Sequence, residues 1–416
     1  MTATATRPTS GTIAGMSTAR LARIDEHLRR NYIDTGKIAG ALTLVARRGE
    51  IAHFSPVGEM DAERGKPMRE DTIFRIYSMS KPITSVALMT LYEEGRFQLD
   101  EPVHHFIPEW KDLGVWVSGA YPNFVTRRPD RDMTVRDLLS HQSGLTYGFH
   151  MRNSVDAAYR ELKVMDRAGD DPAHTLAHSA KLLAGLPLVF SPGSAWNYSI
   201  STDVCGYLVE VISGQRFDRF VAERVTAPLG MVDTGFHVPD EQLDRFAACY
   251  APGKDDVRVL QDDPQTSAYR MPPALYSGGG GMVSTATDYF RFCQMLLNGG
   301  TLDGERILSR KTIDVMRINH LPNGDDLAAR QPAGQFSEAA TSGTGFGLGF
   351  SVLLDLAKAQ IAGSPGQYAW GGAASTAFWI DPVEGVVLVY MTQLLPSAKY
   401  PFRRELQVFV NAAIDD

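Results

Sequence analysis

The hydrophobic positions alternate as in β-strands near both ends of the chain and recur at helical spacing between those ends. Near the N-terminus, the apolar runs 41–46 and 51–54 flank a turn at 48–50, and this arrangement predicts a β-hairpin. Near the C-terminus, similar runs predict strands over 347–354, over 368–370 continuing into 376–380, and over 386–391. The strand-forming segments therefore lie at the two ends of the chain.

Apolar residues at helical spacing occur before, between and after these strands. Ser17 is a candidate N-cap for a first helix that ends near Gly36, and Phe402 opens the apolar stripe of a last helix. Between residues 96 and 269, helical segments such as 202–212 and 217–225 alternate with loops, without a clear strand. The middle of the chain is therefore predicted to be helical.

These patterns predict an α+β fold in which both chain ends build one antiparallel sheet flanked by helices. Residues 1–95 and 275–416 would form this α/β domain, and residues 96–274 an inserted helical domain. The first 16 residues are predicted to be a flexible lead, because residues 1–19 are rich in Thr, Ala, Gly and Ser.

The composition is that of an ordinary globular protein, and it narrows the classes of function. The 416 residues carry a formal net charge of −7 without charge runs, which argues against a nucleic-acid partner. No apolar run is long enough to span a membrane, and the N-terminus lacks the apolar core of a secretory signal. Cys205, Cys249 and Cys293 are far apart and form no metal-binding spacing. A cytoplasmic protein without a metal or cofactor is predicted.

Residues 77–82 read Tyr-Ser-Met-Ser-Lys-Pro and contain the candidate nucleophile, Ser78. Proline is tolerated only in the first turn of a helix, so Pro82 places Ser78 at the start of the helix that follows. Unpaired backbone N–H groups at a helix start can hold an oxyanion, and Lys81 lies beside Ser78 on the same helix face. A partly neutral lysine can activate a serine. Alone, the pattern also describes a capping serine followed by a surface lysine.

Two further segments are candidates to complete such a site. Tyr198 can act as a base if it faces Ser78 and a lysine, because a nearby cation stabilises the phenolate. Gly371 and Gly372 follow Trp370 on a predicted strand, where glycines mark the close approach of a ligand or another backbone. A backbone N–H from this strand could face that of Ser78 and complete an oxyanion hole. A core tyrosine and a simple β-bulge are the structural alternatives.

The order and spacing of these motifs resemble the serine β-lactamase and penicillin-binding-protein superfamily, in its class C-like branch. The resemblance extends over roughly residues 17–410, a length that one such enzyme would fill, and includes the segments 78–81, 141–145, 228–231 and 278–300. Within the superfamily, the chain is most similar to the family VIII carboxylesterases. The resemblance implies that Ser78 is the nucleophile, Lys81 its activator and Tyr198 the general base. It also implies that the backbone N–H groups of Ser78 and Ala373 form the oxyanion hole.

Two departures from the class C β-lactamases indicate a different substrate. Those enzymes have an asparagine two residues after the tyrosine, where this chain has Ile200, and Lys-Thr-Gly where it has Trp370-Gly371-Gly372. Both changes replace polar groups that recognise a β-lactam by apolar surface. The residues predicted to bind substrate are therefore Trp370, Gly371, Gly372, Tyr147 and Ile200.

The leading interpretation is a serine carboxylesterase that forms an acyl-enzyme with a short-chain or uncharged small-molecule ester. An acyltransferase that passes the acyl group to an alcohol is the nearest alternative, followed by a β-lactamase or D-aminopeptidase. A Ser-His-Asp α/β-hydrolase using His141 fits poorly, because the chain has no Gly-x-Ser-x-Gly motif. A non-enzymatic binding domain is least favoured, since serine, lysine and tyrosine are retained together. The sequence leaves the oligomeric state open.

Overall fold

The computed structural model describes residues 11–165, 172–332, 338 and 340–416, and its central element is an antiparallel sheet. The sheet has eight strands, in the spatial order Thr344–Phe346, Ser351–Leu353, Tyr368–Gly371, Ala377–Asp381, Val386–Met391, Gly40–Arg47, Glu50–Asp61 and Lys66–Pro67. The strand Val386–Met391 pairs along its whole length with the strand Gly40–Arg47. The two chain ends thus build one sheet, which confirms the predicted α+β architecture.

Helices cover both faces of this sheet, and its central strands are therefore buried on both sides. In the strand Gly40–Arg47, Leu42 and Leu44 belong to one hydrophobic core, whereas Ala41 and Val45 belong to a second core. Successive side chains of a strand point to opposite faces, so the two cores lie on the two sides of the sheet. The helices Ser80–Glu93 and Ala286–Leu297 contribute to the first core, and Thr18–Leu21, Arg23–Leu28 and Phe402–Ala412 to the second.

Further helices fill the segment between the two halves of the sheet, as predicted. These are Val135–Leu139, Ser154–Glu161, Leu176–Ala184, Ser201–Ser213 and Phe217–Val221, and shorter helices follow at Arg310–Met316, Leu327–Arg330 and Leu356–Ala359. The helix Ser201–Ser213 packs against Ser80–Glu93 and so joins the helical segment to the sheet domain. Across the described ranges, no helix is both long enough and apolar enough to cross a bilayer.

The middle of the chain also contains two β-hairpins, so the prediction that strands are absent there is wrong. Val115–Ala120 pairs with Asn123–Arg127, and Cys249–Pro252 pairs with Arg258–Asp262. The first hairpin is mostly exposed on both strands. Because neither of its faces is buried, its sequence lacks the alternation of apolar and polar residues that identifies a strand.

The predicted strand over 347–354 is instead the turn and second strand of a hairpin. Thr344–Phe346 pairs with Ser351–Leu353, and the connecting turn contains the buried side chains of Leu348 and Phe350. An apolar turn between two strands reads as a continuous hydrophobic run, and this explains the difference.

The chain is ordered before the predicted end of the flexible lead at residue 16. Thr12–Ile13 pairs with Met16–Ser17, and the Ser17 N–H donates to the Ala413 carbonyl oxygen at 2.7 Å. Residues 12–16 therefore do not belong to a flexible lead, and residues 1–10 of that prediction lie outside the described residues. The Ser17 side chain accepts from the Arg20 N–H at the start of the first helix, as predicted. The domain boundaries near residues 95 and 275 stay a prediction.

Candidate active site

Ser78 lies in a short turn, Tyr77–Met79, that leads directly into the helix Ser80–Glu93. Pro82 falls in the first turn of this helix, where its missing N–H is tolerated. The preceding residue, Tyr77, has a φ of +42°, which is uncommon for a residue with a side chain. Ser78 is partly exposed, whereas the helix residues from Ser80 to Leu91 are buried. The nucleophile candidate thus stands at the rim of a rigid, buried helix.

The Lys81 amine is buried and lies against the Ser78 hydroxyl. Its Nζ is 3.2 Å from Ser78 Oγ and donates to the Gly279 carbonyl oxygen at 2.6 Å. Burial lowers the pKa of Lys81 to about 8, because desolvation disfavours the ammonium form, while Asp203 and Glu338 oppose that shift. At neutral pH a fraction of this amine is therefore free to accept a proton.

Tyr198 is the second polar side chain in contact with Ser78. The Tyr198 hydroxyl is 2.6 Å from Ser78 Oγ, and the Lys81 ammonium lies 4.6 Å from the centre of the Tyr198 ring. Burial raises the pKa of Tyr198 well above its usual value, and the hydrogen bond to Ser78 partly opposes this. The Ser78 hydroxyl thus lies within 3.2 Å of both a lysine amine and a tyrosine hydroxyl.

Neighbouring polar groups hold the Tyr198 segment in place. His150 Nε2 is 2.7 Å from the Tyr198 carbonyl oxygen, which identifies the protonated ring nitrogen as Nε2. The Asn197 amide donates to the Leu145 carbonyl oxygen at 2.8 Å and accepts from the Arg152 guanidinium at 2.6 Å. These contacts hold the backbone carbonyl of Tyr198 and the side chain of the residue before it.

The strand that ends at Gly371 brings a turn against the backbone just before Ser78. A Cβ added to Gly372 would lie 2.3 Å from the Ile76 carbonyl oxygen, and one added to Gly371 would overlap the Arg403 guanidinium. The glycines thus mark close approaches, as predicted, although they stand at the end of the strand and not in its interior. Ala373 follows in the turn, and its N–H makes no hydrogen bond within the described part of the chain.

Three of the residues predicted to bind substrate lie around the catalytic candidates. The Tyr147 ring is 5.2 Å from the Tyr198 ring and 5.4 Å from Lys81 Nζ. The Trp370 ring is 5.4 Å from the Tyr198 ring on another side. Ile200 is buried immediately before the helix Ser201–Ser213. All three therefore lie within two residues or one ring contact of Tyr198.

An apolar cleft opens beside Tyr147 and Ile200. It has a volume of about 260 Å³, and its other walls include Phe149, Tyr159 and Val164. The exposed ring of Phe149 stacks on Tyr147 with centroids 4.6 Å apart. Trp370 instead packs between Tyr198 and Phe346. Tyr147 and Ile200 therefore form part of the walls of this cleft.

His141 does not reach Ser78 in this structure. It is buried in a turn with a φ of +56°, its Nδ1 is 3.2 Å from Ser199 Oγ, and its ring packs on the ring of Tyr198. Burial lowers the pKa of His141 well below its usual value, so the ring is neutral. Its place agrees with the poor fit of a Ser-His-Asp hydrolase that uses His141.

The sequence did not reveal Asp203 and Arg403, which both support the candidate site. Asp203 accepts a hydrogen bond from the Gly279 N–H at 2.9 Å, and Gly279 is the residue whose carbonyl holds Lys81. Arg403 donates to the Thr376 carbonyl oxygen at 3.1 Å, within the turn that contains Ala373. An acidic residue in the first turn of a helix and an arginine on a terminal helix are both ordinary features, so the sequence offered no distinguishing signal. One sequence feature does lie here, the run of four glycines at 278–281, which is typical of either a flexible turn or a close backbone approach.

The family model described as Beta-lactamase matches residues 24–412. The chain is 37% identical over 372 residues to protein Rv1367c of Mycobacterium tuberculosis, covering 88% of this chain and 89% of that protein. It is 32% identical over 411 residues to esterase EstB of Burkholderia gladioli, covering 94% of each. The chain therefore belongs to the beta-lactamase family.

A solved structure agrees with this assignment. The structure titled "EstCE1, a hydrolase with promiscuous acyltransferase activity" superposes with a TM-score of 0.78 at 27% identity, covering 96% of this chain and 99% of that chain. Together with EstB, it supports a serine hydrolase or acyltransferase of this fold.

Proposed function

We propose that this protein is a serine carboxylesterase that forms an acyl-enzyme on Ser78. The observation that carries the proposal is the pair of contacts to Ser78 Oγ, from Lys81 Nζ at 3.2 Å and from the Tyr198 hydroxyl at 2.6 Å. A serine needs an adjacent base to become a nucleophile, and a buried lysine with a lowered pKa supplies one near neutral pH.

Lys81 and Tyr198 act as one proton-transfer unit in the proposed reaction. A neutral amine beside a phenol holds the same number of protons as an ammonium beside a phenolate, and either form leaves one acceptor next to Ser78. With a pKa of about 8, about a tenth of the Lys81 amine is neutral at pH 7. In the phenolate form, Tyr198 takes the general-base role that the resemblance implies.

The proposed reaction has two balanced halves. Ser78 Oγ forms a bond to the ester carbonyl carbon, its proton passes to the Lys81–Tyr198 pair, and the same pair returns a proton to the departing alkoxide. Water then adds to the acyl-enzyme, gives up its proton to the pair, and releases the acid as Ser78 regains its hydrogen. The N–H groups of Ser78 and Ala373 are proposed to hold the carbonyl oxygen as it becomes negative.

The proposed substrate is an uncharged ester with an apolar acyl or alcohol group. By the resemblance, Ile200 and Trp370 occupy the places where β-lactamases present an asparagine and a lysine. The Ile200 side chain can neither donate nor accept a hydrogen bond, and Trp370 brings no charge to pair with a substrate carboxylate. The cleft beside Tyr147 and Ile200 is lined mostly by apolar and aromatic side chains, with Arg160 and Lys163 also among its walls. Transfer of the acyl group to an alcohol is the second candidate, because the similar structure of EstCE1 is named for both activities.

A comparison of three substrates on one preparation tests this proposal. We expect kcat/KM for p-nitrophenyl butyrate to exceed that for nitrocefin and for a penicillin, and Ser78→Ala to abolish hydrolysis of the ester. A ligand carboxylate that loses its partner costs on the order of 1–3 kcal/mol, which is roughly one to two powers of ten in rate. If the penicillin were the best of the three substrates, the protein would be a β-lactamase. Formation of a new ester when an alcohol is added would establish the transferase activity.

A further inference from the structure

A buried carboxylate lies behind the backbone segment that holds the Lys81 amine. Asp203 is in the first turn of the helix Ser201–Ser213 and is 3% exposed. Its Oδ1 accepts from Ser277 Oγ at 2.5 Å and from the Gly279 N–H at 2.9 Å. The carbonyl of the same Gly279 accepts from Lys81 Nζ at 2.6 Å. One glycine thus connects a carboxylate on its N–H side to the catalytic amine on its carbonyl side.

The glycine segment is clamped between two helices at this point. A Cβ added to Gly279 would lie 2.3 Å from Asp203 Oδ2, and one added to Gly278 would lie 2.9 Å from the Thr202 carbonyl oxygen. On the other side, Thr84 Oγ1 donates to the Gly278 carbonyl oxygen at 2.8 Å. Both glycines therefore have to lack side chains for the helix that carries Asp203 to approach the helix that carries Lys81.

We propose that Asp203 is a positioning residue for this reaction, which holds Lys81 against Ser78 through Gly279 and sets the pH at which activity appears. The inference rests on the proposed function, because it concerns the amine that activates Ser78. The hydrogen bonds of the Asp203 side chain go to Ser277 and Gly279, and none goes to Ser78 within the described residues.

The electrostatic part of this role follows from the sign of the charges. Burial lowers the pKa of Lys81, and the Asp203 carboxylate is the largest opposing influence, because a negative charge stabilises the ammonium form. In turn, burial raises the pKa of Asp203, whereas Lys81, Ser277 and the Gly279 N–H oppose that rise. Removing the negative charge at position 203 should lower the pKa of Lys81 further, so the neutral amine would appear at lower pH.

Other ionisable groups also face Lys81, but they are unchanged by a substitution at position 203. Glu338 raises the pKa of Lys81 as Asp203 does. Tyr147 and Tyr198 have raised pKa values through burial, and His141 has a lowered one, so all three are neutral near pH 7 in the free protein. The difference between the wild-type protein and a variant at position 203 therefore reports on Asp203.

The test compares the pH dependence of two variants with a matched control. Asp203→Asn keeps an oxygen that can accept from Ser277 and Gly279 but removes the charge, whereas Asp203→Ala removes both. Asp288→Asn is the control, because Asp288 is also buried and has a similar set of donors. Its carboxylate accepts from the Asp233 N–H at 2.8 Å and from the Thr234 hydroxyl at 2.9 Å. Asp288 is not among the charges that shift the pKa of Lys81.

The readouts are kcat/KM for p-nitrophenyl butyrate and the rate of Ser78 labelling by a fluorophosphonate, each measured from pH 5 to pH 10. We expect Asp203→Asn to move the midpoint of the rising limb to lower pH by about one pH unit, the low end of the shift typical of losing a nearby opposite charge. We expect Asp203→Ala also to lower the plateau rate, and Asp288→Asn to leave the midpoint where it is.

An unchanged midpoint in a folded Asp203→Asn protein would overturn the proposal, as would a midpoint that moves to higher pH. If Asp203→Asn does not fold, Ser277→Ala serves instead. This substitution removes one hydrogen-bond donor to the Asp203 carboxylate, and we expect it to lower the plateau rate. An unchanged plateau rate would refute the positioning role. Because labelling needs no ester turnover, a shifted labelling profile without hydrolysis would retain this inference and reject the esterase. Ester hydrolysis with an unshifted pH profile would retain the esterase proposal and reject this inference.

Discussion

The replacement of Tyr198 by phenylalanine gives the sharpest test of the proposed proton-transfer unit. The substitution removes the hydroxyl that lies 2.6 Å from Ser78 Oγ and leaves the ring contacts with Trp370 and Tyr147 in place. A proton-transferring group typically contributes 10²- to 10⁴-fold to the rate. We therefore expect kcat to fall by about 10²- to 10⁴-fold, which corresponds to roughly 3–5 kcal/mol of transition-state stabilisation.

The fold should tolerate this change. One buried hydroxyl and its hydrogen bond contribute about 1 kcal/mol, so the midpoint of thermal unfolding should move by a few degrees at most. Tyr250→Phe is a suitable control, because the Tyr250 hydroxyl is also buried and accepts from the Ala62 N–H at 2.8 Å, in the core on the other face of the sheet. This control should lose a similar amount of stability and retain the wild-type kcat.

A double variant shows whether Lys81 and Tyr198 act together. Groups that act as a unit lose activity non-additively, so Lys81→Ala combined with Tyr198→Phe should be little slower than either single variant. The assay is steady-state hydrolysis of p-nitrophenyl butyrate, with circular dichroism to confirm folding. Losses that add on a logarithmic scale would refute the coupling, and a Tyr198→Phe enzyme near the wild-type rate would remove tyrosine from the mechanism.

Three further outcomes are expected. A fluorophosphonate should give a single adduct on the peptide that contains Ser78, by mass spectrometry, and an adduct on Ser80 or Ser143 instead would refute the assignment. In the wild-type protein, kcat/KM should rise about tenfold between pH 6 and pH 7 and level off above a pH of about 8. The reason is that the neutral fraction of the Lys81 amine increases over that range. A flat profile would contradict the role of this amine. Gly372→Ala should lower both kcat and the thermal unfolding midpoint, since the new Cβ would lie 2.3 Å from the Ile76 carbonyl oxygen. The control Gly385→Ala should lower only the unfolding midpoint, because a Cβ in that surface turn would have no contact closer than 3.5 Å.

The sheet and the catalytic candidates could be predicted because their signals are local or periodic. The strand Val386–Met391 is buried on both faces and reads as an unbroken apolar run. Ser78 and Lys81 belong to one helix start, where Pro82 fixes the register. The short distance between their side chains thus follows from a separation of three residues at the start of one helix.

The supporting contacts could not be predicted, because they depend on how distant segments pack. Asp203 and Gly279 are 76 positions apart in the chain, and only their bond makes the carboxylate part of the site. Arg403 and the turn at 372–376 are joined in the same way. The hairpin Val115–Ala120 with Asn123–Arg127 was missed for another reason, since exposed strands leave no hydrophobic pattern.

The pairing of the strand Gly40–Arg47 with Val386–Met391 has a consequence for synthesis on the ribosome. Chains emerge from the N-terminus, at about 5–20 residues per second. The edge of Gly40–Arg47 therefore waits for more than 300 further residues before its neighbour exists. Until then, one row of its backbone N–H and C=O groups has no native partner, and an unpaired strand edge is a condition that favours aggregation. The nascent chain therefore carries an unpaired strand edge until nearly its last strand has been made, and slowing translation after residue 61 would prolong the exposure of that edge.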